Sequence, residues 1–195
     1  YSYGEEDVRL SGYELTRPVM TSNLGKIAVI NGRRIHVEGN TIANLPAFEN
    51  TPYRWFPTIQ GRGIHIMNSE SVRVIDNTLE DMEGPSGNRS ATAGPVIGID
   101  VVDSRSTLVQ GNTLRHLTGG LSRGGNFATG RDAPPASPPR RESAAIAIRN
   151  TDSVQTQVLD TVVHDLVGAS NHVILSNNSN NLRVAHLLGH DLGNG

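Results

Sequence analysis

The chain has 195 residues, enough for one domain with a buried core, and no cysteine, which excludes disulfides and thiolate metal sites. A net charge of −2 and a pI near 6.4 argue against the basic stripe of a nucleic-acid-binding protein, and no apolar run approaches membrane-spanning length. Aromatic residues make up only 4%, so a core must be assembled from Val, Ile and Leu.

Residues 1–24 are a weak leading segment, with Val8-Arg9-Leu10 and Val19-Met20 as strands of an irregular first turn. Three stretches then superimpose almost residue for residue. They are Ile27-Ala-Val-Ile-Asn31-Gly-Arg-Arg-Ile35-His-Val37-Glu-Gly-Asn40-Thr-Ile42, Ile64-His-Ile-Met-Asn68-Ser-Glu-Ser-Val72-Arg-Val74-Ile-Asp-Asn77-Thr-Leu79 and Ile99-Asp-Val-Val-Asp103-Ser-Arg-Ser-Thr107-Leu-Val109-Gln-Gly-Asn112-Thr-Leu114. Fainter copies begin at Ile146-Ala-Ile148-Arg-Asn150 and Val173-Ile-Leu175-Ser-Asn177. Such repetition is the signature of a solenoid, in which each repeat buries its apolar side only against its neighbours.

Within a copy the apolar residues alternate, as in Val72-x-Val74, and the alternation stops at Asn or Asp before it resumes. That is the period of short strands, not of helices. Asn31, Asn68, Asp103, Asn150 and Asn177 are placed at one equivalent corner, and Asn40, Asn77 and Asn112 at another. Asn and Asp tolerate left-handed backbone and bond to nearby backbone groups, and stacked Asn side chains can bond from copy to copy. Long insertions fall at about 46–60, 83–96 and 118–144, each leaving just after Leu45, Met82 or Leu117. The third holds Ala133-Pro-Pro-Ala-Ser-Pro-Pro-Arg-Arg141, a polyproline-type stretch with nothing to bury. Equivalent departure points predict that the insertions wall one flank of the stack.

These repeats resemble the right-handed parallel β-helix family, the pectate-lyase-like solenoids, over roughly residues 25–195. The resemblance implies an all-β, right-handed parallel β-helix of about five to six coils, in a single domain spanning 1–195 or forming one segment of a longer solenoid. Its functional implication is an extracellular or cell-surface protein that binds or processes polysaccharide. The first residue is Tyr1 rather than Met, as in a mature or excised piece, and no signal peptide is visible.

Two features carry candidate chemistry. The first insertion contains Tyr53-Arg54-Trp55-Phe56, with the only tryptophan, and amphipathic aromatic plates stack on sugar faces or pin a loop. The second is a ridge. The two residues before the last apolar position of successive copies are Ala43-Asn44, Glu80-Asp81, Arg115-His116, His164-Asp165 and His190-Asp191. Coils rise by about 4.8 Å, so these residues form columns. Asp81, His116, His164, Asp165, His190 and Asp191 are the candidate catalytic residues, and Arg115 joins Tyr53, Arg54, Trp55 and Phe56 as a candidate substrate contact. Elimination or epimerisation of an acidic sugar needs a base, a cation for the enolate and an acid for the leaving oxygen. Hydrolysis needs two carboxylates about 5–9.5 Å apart. No metal ligand is assigned; oxygen ligands of this kind favour Ca²⁺ over a soft metal.

His36, Arg73, Leu108, Gln155 and Arg183 are expected on a solvated outer sheet face. Family signatures are mostly missing. There is no Asp-Pro-His like that of alginate epimerases, Gly189-His190-Asp191 departs from the Gly-His-Gly of polygalacturonases at its third residue, and no Arg-x-Pro-x-x-Arg of pectate lyases is recognisable. A lyase, an epimerase, a hydrolase and a binding protein therefore stay open. The alternative of another class is a structural solenoid (adhesin, surface-layer or filament component) that associates through its open strand edges.

Overall fold

The structure, a computed structural model of the chain, describes residues 2–15, 26–45, 60–86, 93–122, 140–141 and 143–193. Three parallel sheets of six strands each form the walls of a parallel β-helix. The first sheet stacks β1 (Ser2–Tyr3), β4 (Ile27–Ile30), β7 (Gly61–Met67), β10 (Val96–Val102), β15 (Ala145–Thr151) and β18 (Asn171–Asn177). The second stacks β2 (Arg9–Ser11), β5 (His36–Glu38), β8 (Arg73–Ile75), β11 (Leu108–Gln110), β16 (Gln157–Leu159) and β19 (Arg183–Ala185). The third stacks β3 (Glu14–Leu15), β6 (Thr41–Leu45), β9 (Thr78–Glu83), β12 (Thr113–Thr118), β17 (Val162–Val167) and β20 (Leu188–His190). One strand per sheet and per pass gives six coils, and residues 2–15 already close the first. No helix among the described residues is long and apolar enough to cross a membrane.

The sequence makes short strands because each coil turns on residues that accept left-handed backbone. Every described residue with positive φ falls into one of four columns. Gly4, Asn31, Asn68, Asp103, Asp152 and Asn178 form the first; Asp7, Arg34, Ser71, Ser106, Gln155 and Asn181 the second. The third is Gly12, Gly39, Asp76, Gly111, Asp160 and His186, and the fourth Asn44, Asp81, His116, Asp165 and Asp191. Most of the non-glycine positions are Asn, Asp or His, the types that bear this conformation most readily.

The columns correct the register read from the sequence at three places. Val101 pairs with Asn150 and Thr151 with Asn177, so the true corner residues are Asp152 and Asn178. Asn150 instead takes an inward site equivalent to Val101 and Ile66, where its Oδ1 accepts from Thr156 Oγ1 at 3.0 Å. On the second sheet Gln157, not Gln155, aligns with Leu108 and Arg183.

One contiguous core fills the tube. The third coil alone contributes Ile64 and Ile66, Val72 and Val74, Leu79 and Met82, all essentially inaccessible. Burying each such side chain contributes about 1.5–3 kcal/mol. Two polar ladders run through the corners beside it. Asn40 Nδ2 donates to Asn77 Oδ1 at 2.9 Å, and Asn77 Nδ2 to Asn112 Oδ1 at 3.0 Å, while the same amides also donate to Leu10 and Val37 carbonyls below. The second ladder, absent from the sequence reading, is of serines: backbone N–H groups of Gly32, Ser69, Ser104 and Ser153 donate in turn to Oγ of Ser69, Ser104, Ser153 and Ser179.

The insertions do leave from one place. Leu45, Met82, Leu117 and Leu166 share a register position, and Gly84, Gly119 and Gly168 follow at the corner. A side chain there would strike neighbouring backbone: a Cβ on Gly119 would lie 2.2 Å from Ser143 O. The third insertion begins and ends with an antiparallel pair, β13 (Leu121–Ser122) and β14 (Arg140–Arg141). The middle of each insertion lies outside the described residues, and Tyr53, Arg54, Trp55 and Phe56 with it.

Candidate functional site: a histidine–aspartate ridge on the third sheet

The ridge exists because the fourth left-handed column interrupts the third sheet. In β9, Leu79 and Met82 point into the core, and with Asp81 at φ 51° the two residues between them, Glu80 and Asp81, both face outward. The same bend recurs at His116 (φ 53°), Asp165 (φ 56°) and Asp191 (φ 53°). Ladder pairing puts Ala43, Glu80, Arg115, His164 and His190 in one row, as the sequence spacing predicts. The second row is Asn44, Asp81, His116, Asp165 and Asp191.

All six candidate catalytic residues therefore lie on neighbouring coils, and their side chains touch. His116 sits between two carboxylates, with Nδ1 2.9 Å from Asp81 Oδ1 and Nε2 3.1 Å from Asp165 Oδ2. Asp165 Oδ2 is also met by His164 Nδ1 at 2.7 Å. His190 Nδ1 lies 2.8 Å from Asp191 Oδ2. The rings pack as well: His164 stacks on His190 with centroids 4.8 Å apart and planes 4° apart, and meets His116 edge-on at 5.9 Å. Arg115 Nε donates to Glu80 Oε2 at 2.5 Å, and Nη2 of the same guanidinium contacts the same oxygen. The hydrogen bond from His164 holds the Asp165 carboxyl below the usual carboxylate range; the slight desolvation of the site opposes this, and the charges of His164, His116 and His190 add to it. His116, His190 and Asp81 are half exposed, so the ridge is open to a ligand from solvent.

Chemically the ridge has the parts for proton transfer. His190 Nδ1 lies against Asp191 Oδ2, and a ring that donates Nδ1–H to that carboxylate has Nε2 left to accept a proton. His116 has a carboxylate within hydrogen-bond reach of each ring nitrogen, so a proton placed on either one has an acceptor beside it. Its two carboxylate neighbours stand on alternate coils, about two rises of 4.8 Å apart along the backbone.

A second charged cluster escaped the sequence reading. Asp100 is fully buried on the outward side of β10, between His65 of β7 and Arg149 of β15, its register partners. Arg149 forks onto it, Nε to Oδ1 and Nη2 to Oδ2, both at 2.7 Å. Arg62 Nε lies 2.8 Å from Oδ2, and Gln60 Oε1 accepts from both guanidiniums, at 2.6 Å from Arg62 and 3.1 Å from Arg149. Burial pushes the Arg62 guanidinium below its ordinary value; Asp100 opposes this and Arg149 reinforces it. The signal was an Asp inside the apolar run Val96–Val102, but its meaning depends on which residues of the neighbouring coils flank it. This cluster locks three strands of the first sheet together.

The concavity lined by Gly4, Glu6, Arg33, Glu70 and Arg105 lies on a different corner, and its charges neutralise one another, Arg33 reaching Glu70 at 3.5 Å and Glu6 at 3.8 Å. It offers no group poised for chemistry. No protein-family profile, curated protein or solved structure matches the chain.

Proposed function

We propose that the chain is a right-handed, pectate-lyase-like β-helix that processes an acidic polysaccharide, outside the cell or at its surface, by proton transfer on the histidine–aspartate ridge. The observation that carries this reading is the contact set His116–Asp81, His116–Asp165 and His190–Asp191 on two adjacent exposed rows of neighbouring coils. Right-handedness rests on the general rule for crossovers between parallel strands. An extended sugar chain suits a ridge that repeats at each coil. His190, its tautomer held by Asp191, serves as the base; His116 returns a proton to the leaving oxygen; Arg115 meets the sugar carboxylate. The test is turnover on plant, algal and bacterial polysaccharides, following ultraviolet absorbance of unsaturated uronates and new reducing ends. Rising absorbance identifies elimination, and reducing ends without absorbance identify hydrolysis. Silence across uronate-containing polymers, with no binding to them either, refutes the reading.

A further inference from the structure

We infer that the centre of the ridge is a binding site for a borderline divalent transition cation of the Zn²⁺ class, with His116 Nε2, His164 Nδ1 and Asp165 as ligands and Asp81 as the group that orients His116. The three ligand atoms lie within 4.8 Å of one another. Two of the separations are 3.1 Å, from His116 Nε2 to Asp165 Oδ2, and 2.7 Å, from His164 Nδ1 to the same oxygen. Ligands bonded at about 2.0–2.1 Å in a tetrahedron stand roughly 3.3 Å apart, so Asp165 Oδ2 need move off the two imidazoles by only about 0.2–0.6 Å, while the imidazole nitrogens, within 4.8 Å of each other, settle to the same spacing.

The hydrogen-bond arrangement independently points to a cation. Asp81 Oδ1 faces His116 Nδ1 at 2.9 Å, the carboxylate–imidazole contact that fixes the tautomer of metal-bound histidines. With Nδ1–H given to Asp81, a neutral His116 would aim the Nε2 lone pair at Asp165 Oδ2, two acceptors in contact. Either a second proton or a metal ion must occupy that position. His164 Nδ1 converges on the same oxygen, as does no other imidazole of the ridge; His190 Nδ1 is turned to Asp191.

The donor set decides the class of ion. Two imidazoles and one carboxylate suit Zn²⁺, Co²⁺ or Fe²⁺ far better than Ca²⁺, which takes six to eight oxygens. Three protein ligands at a half-exposed surface leave a position open to water or to a substrate oxygen, the pattern of catalytic rather than structural sites. The inference goes beyond the proposed function, since cation binding can be measured without any sugar; with the cation bound, His116 is a ligand and no longer the group that returns the proton, and the His190–Asp191 pair remains available for proton transfer.

The test is titration of the full chain, carrying no polyhistidine tag, with Zn²⁺ alone by calorimetry, and with Co²⁺ followed by its visible absorption. The expected result is one ion per chain with micromolar or tighter affinity. His116→Asn, which retains a residue suited to left-handed backbone, and His164→Gln should each weaken binding by more than 100-fold. Asp81→Asn should weaken it 10- to 100-fold. His186→Ala, which removes another exposed His–Asp pair (His186 with Asp160), should leave it unchanged. Unaltered far-ultraviolet circular dichroism shows that the variants are folded. Failure to bind either ion, or binding undiminished in folded His116→Asn, overturns the inference and leaves the polysaccharide reading standing.

Discussion

Removing one rung of the asparagine ladder should cost far more than removing an exposed asparagine. The Asn77 side chain makes four hydrogen bonds: Oδ1 accepts from the Asn40 backbone N–H and from Asn40 Nδ2, and Nδ2 donates to Val37 O and Asn112 Oδ1. In Asn77→Ala, Asn40 Nδ2 keeps Leu10 O and Asn112 Oδ1 keeps the residue-77 N–H. The Asn40 N–H and the Val37 carbonyl lose these partners in a buried corner. Stranding a buried polar group costs about 1–3 kcal/mol, which for two groups sums to roughly 2–6 kcal/mol. That is a large share of a typical stability of about 5–15 kcal/mol, and at about 2–4 °C per kcal/mol it should lower the melting midpoint by roughly 4–24 °C. The control is Asn68→Gly, which removes an exposed side-chain bond to Asn31 but keeps a residue suited to φ 48°. It should stay within about 0.5–1 kcal/mol of the parent. Thermal and urea unfolding followed by circular dichroism measures both. Equal midpoints for the two variants would refute the claim that the buried ladder holds the corner.

Gly119→Ala should destabilise by about 1–3 kcal/mol, because its Cβ would stand 2.2 Å from Ser143 O and the backbone at the insertion corner must shift; urea midpoints check this. Asp100→Ala strands Arg149 and Arg62 on the outer face of the first sheet and should cost about 3–5 kcal/mol, whereas a mutant of equal stability would show that those guanidiniums find other partners. The Arg34 fork, Nε to Oδ1 at 2.6 Å and Nη2 to Oδ2 at 2.8 Å, holds the Asp7 carboxyl below the usual carboxylate range. A depressed carboxylate contributes stability that is present above the unfolded pKa and is lost as the pH falls through the lower folded one. The midpoint difference between the parent and Asp7→Asn should therefore be constant near neutrality and vanish in strong acid, and a difference that grows in acid would contradict the assignment.

The fold was legible because its turns are written in residue types. Asn, Asp and Gly mark the left-handed columns, and the three strong copies keep them in identical register. The ridge was legible for the same reason: Glu80-Asp81, Arg115-His116, His164-Asp165 and His190-Asp191 each precede a core residue by a constant offset, which survives stacking. Register failed where polar residues recur at neighbouring positions. Asn150 and Asn177 mimic a corner that Asp152 and Asn178 occupy, and Gln155 competes with Gln157. Asp100 could not be read because a charge inside an apolar strand is explained only by His65 and Arg149, 35 and 49 residues away along the chain. Side-chain direction was the other missing quantity. Spacing put His116 beside Asp165, but only the bend at φ 53° shows that one ring bridges Asp81 and Asp165.

The central claim is that the ridge performs proton transfer on an acidic polymer. Its most direct test compares turnover of the best uronate polymer by the parent and by His190→Gln, with thermal midpoints recorded beside each rate. A fall of at least 100-fold in kcat with the midpoint within about 2 °C is the predicted result, in line with the loss of a general base. Full-rate turnover by folded His190→Gln would contradict the account.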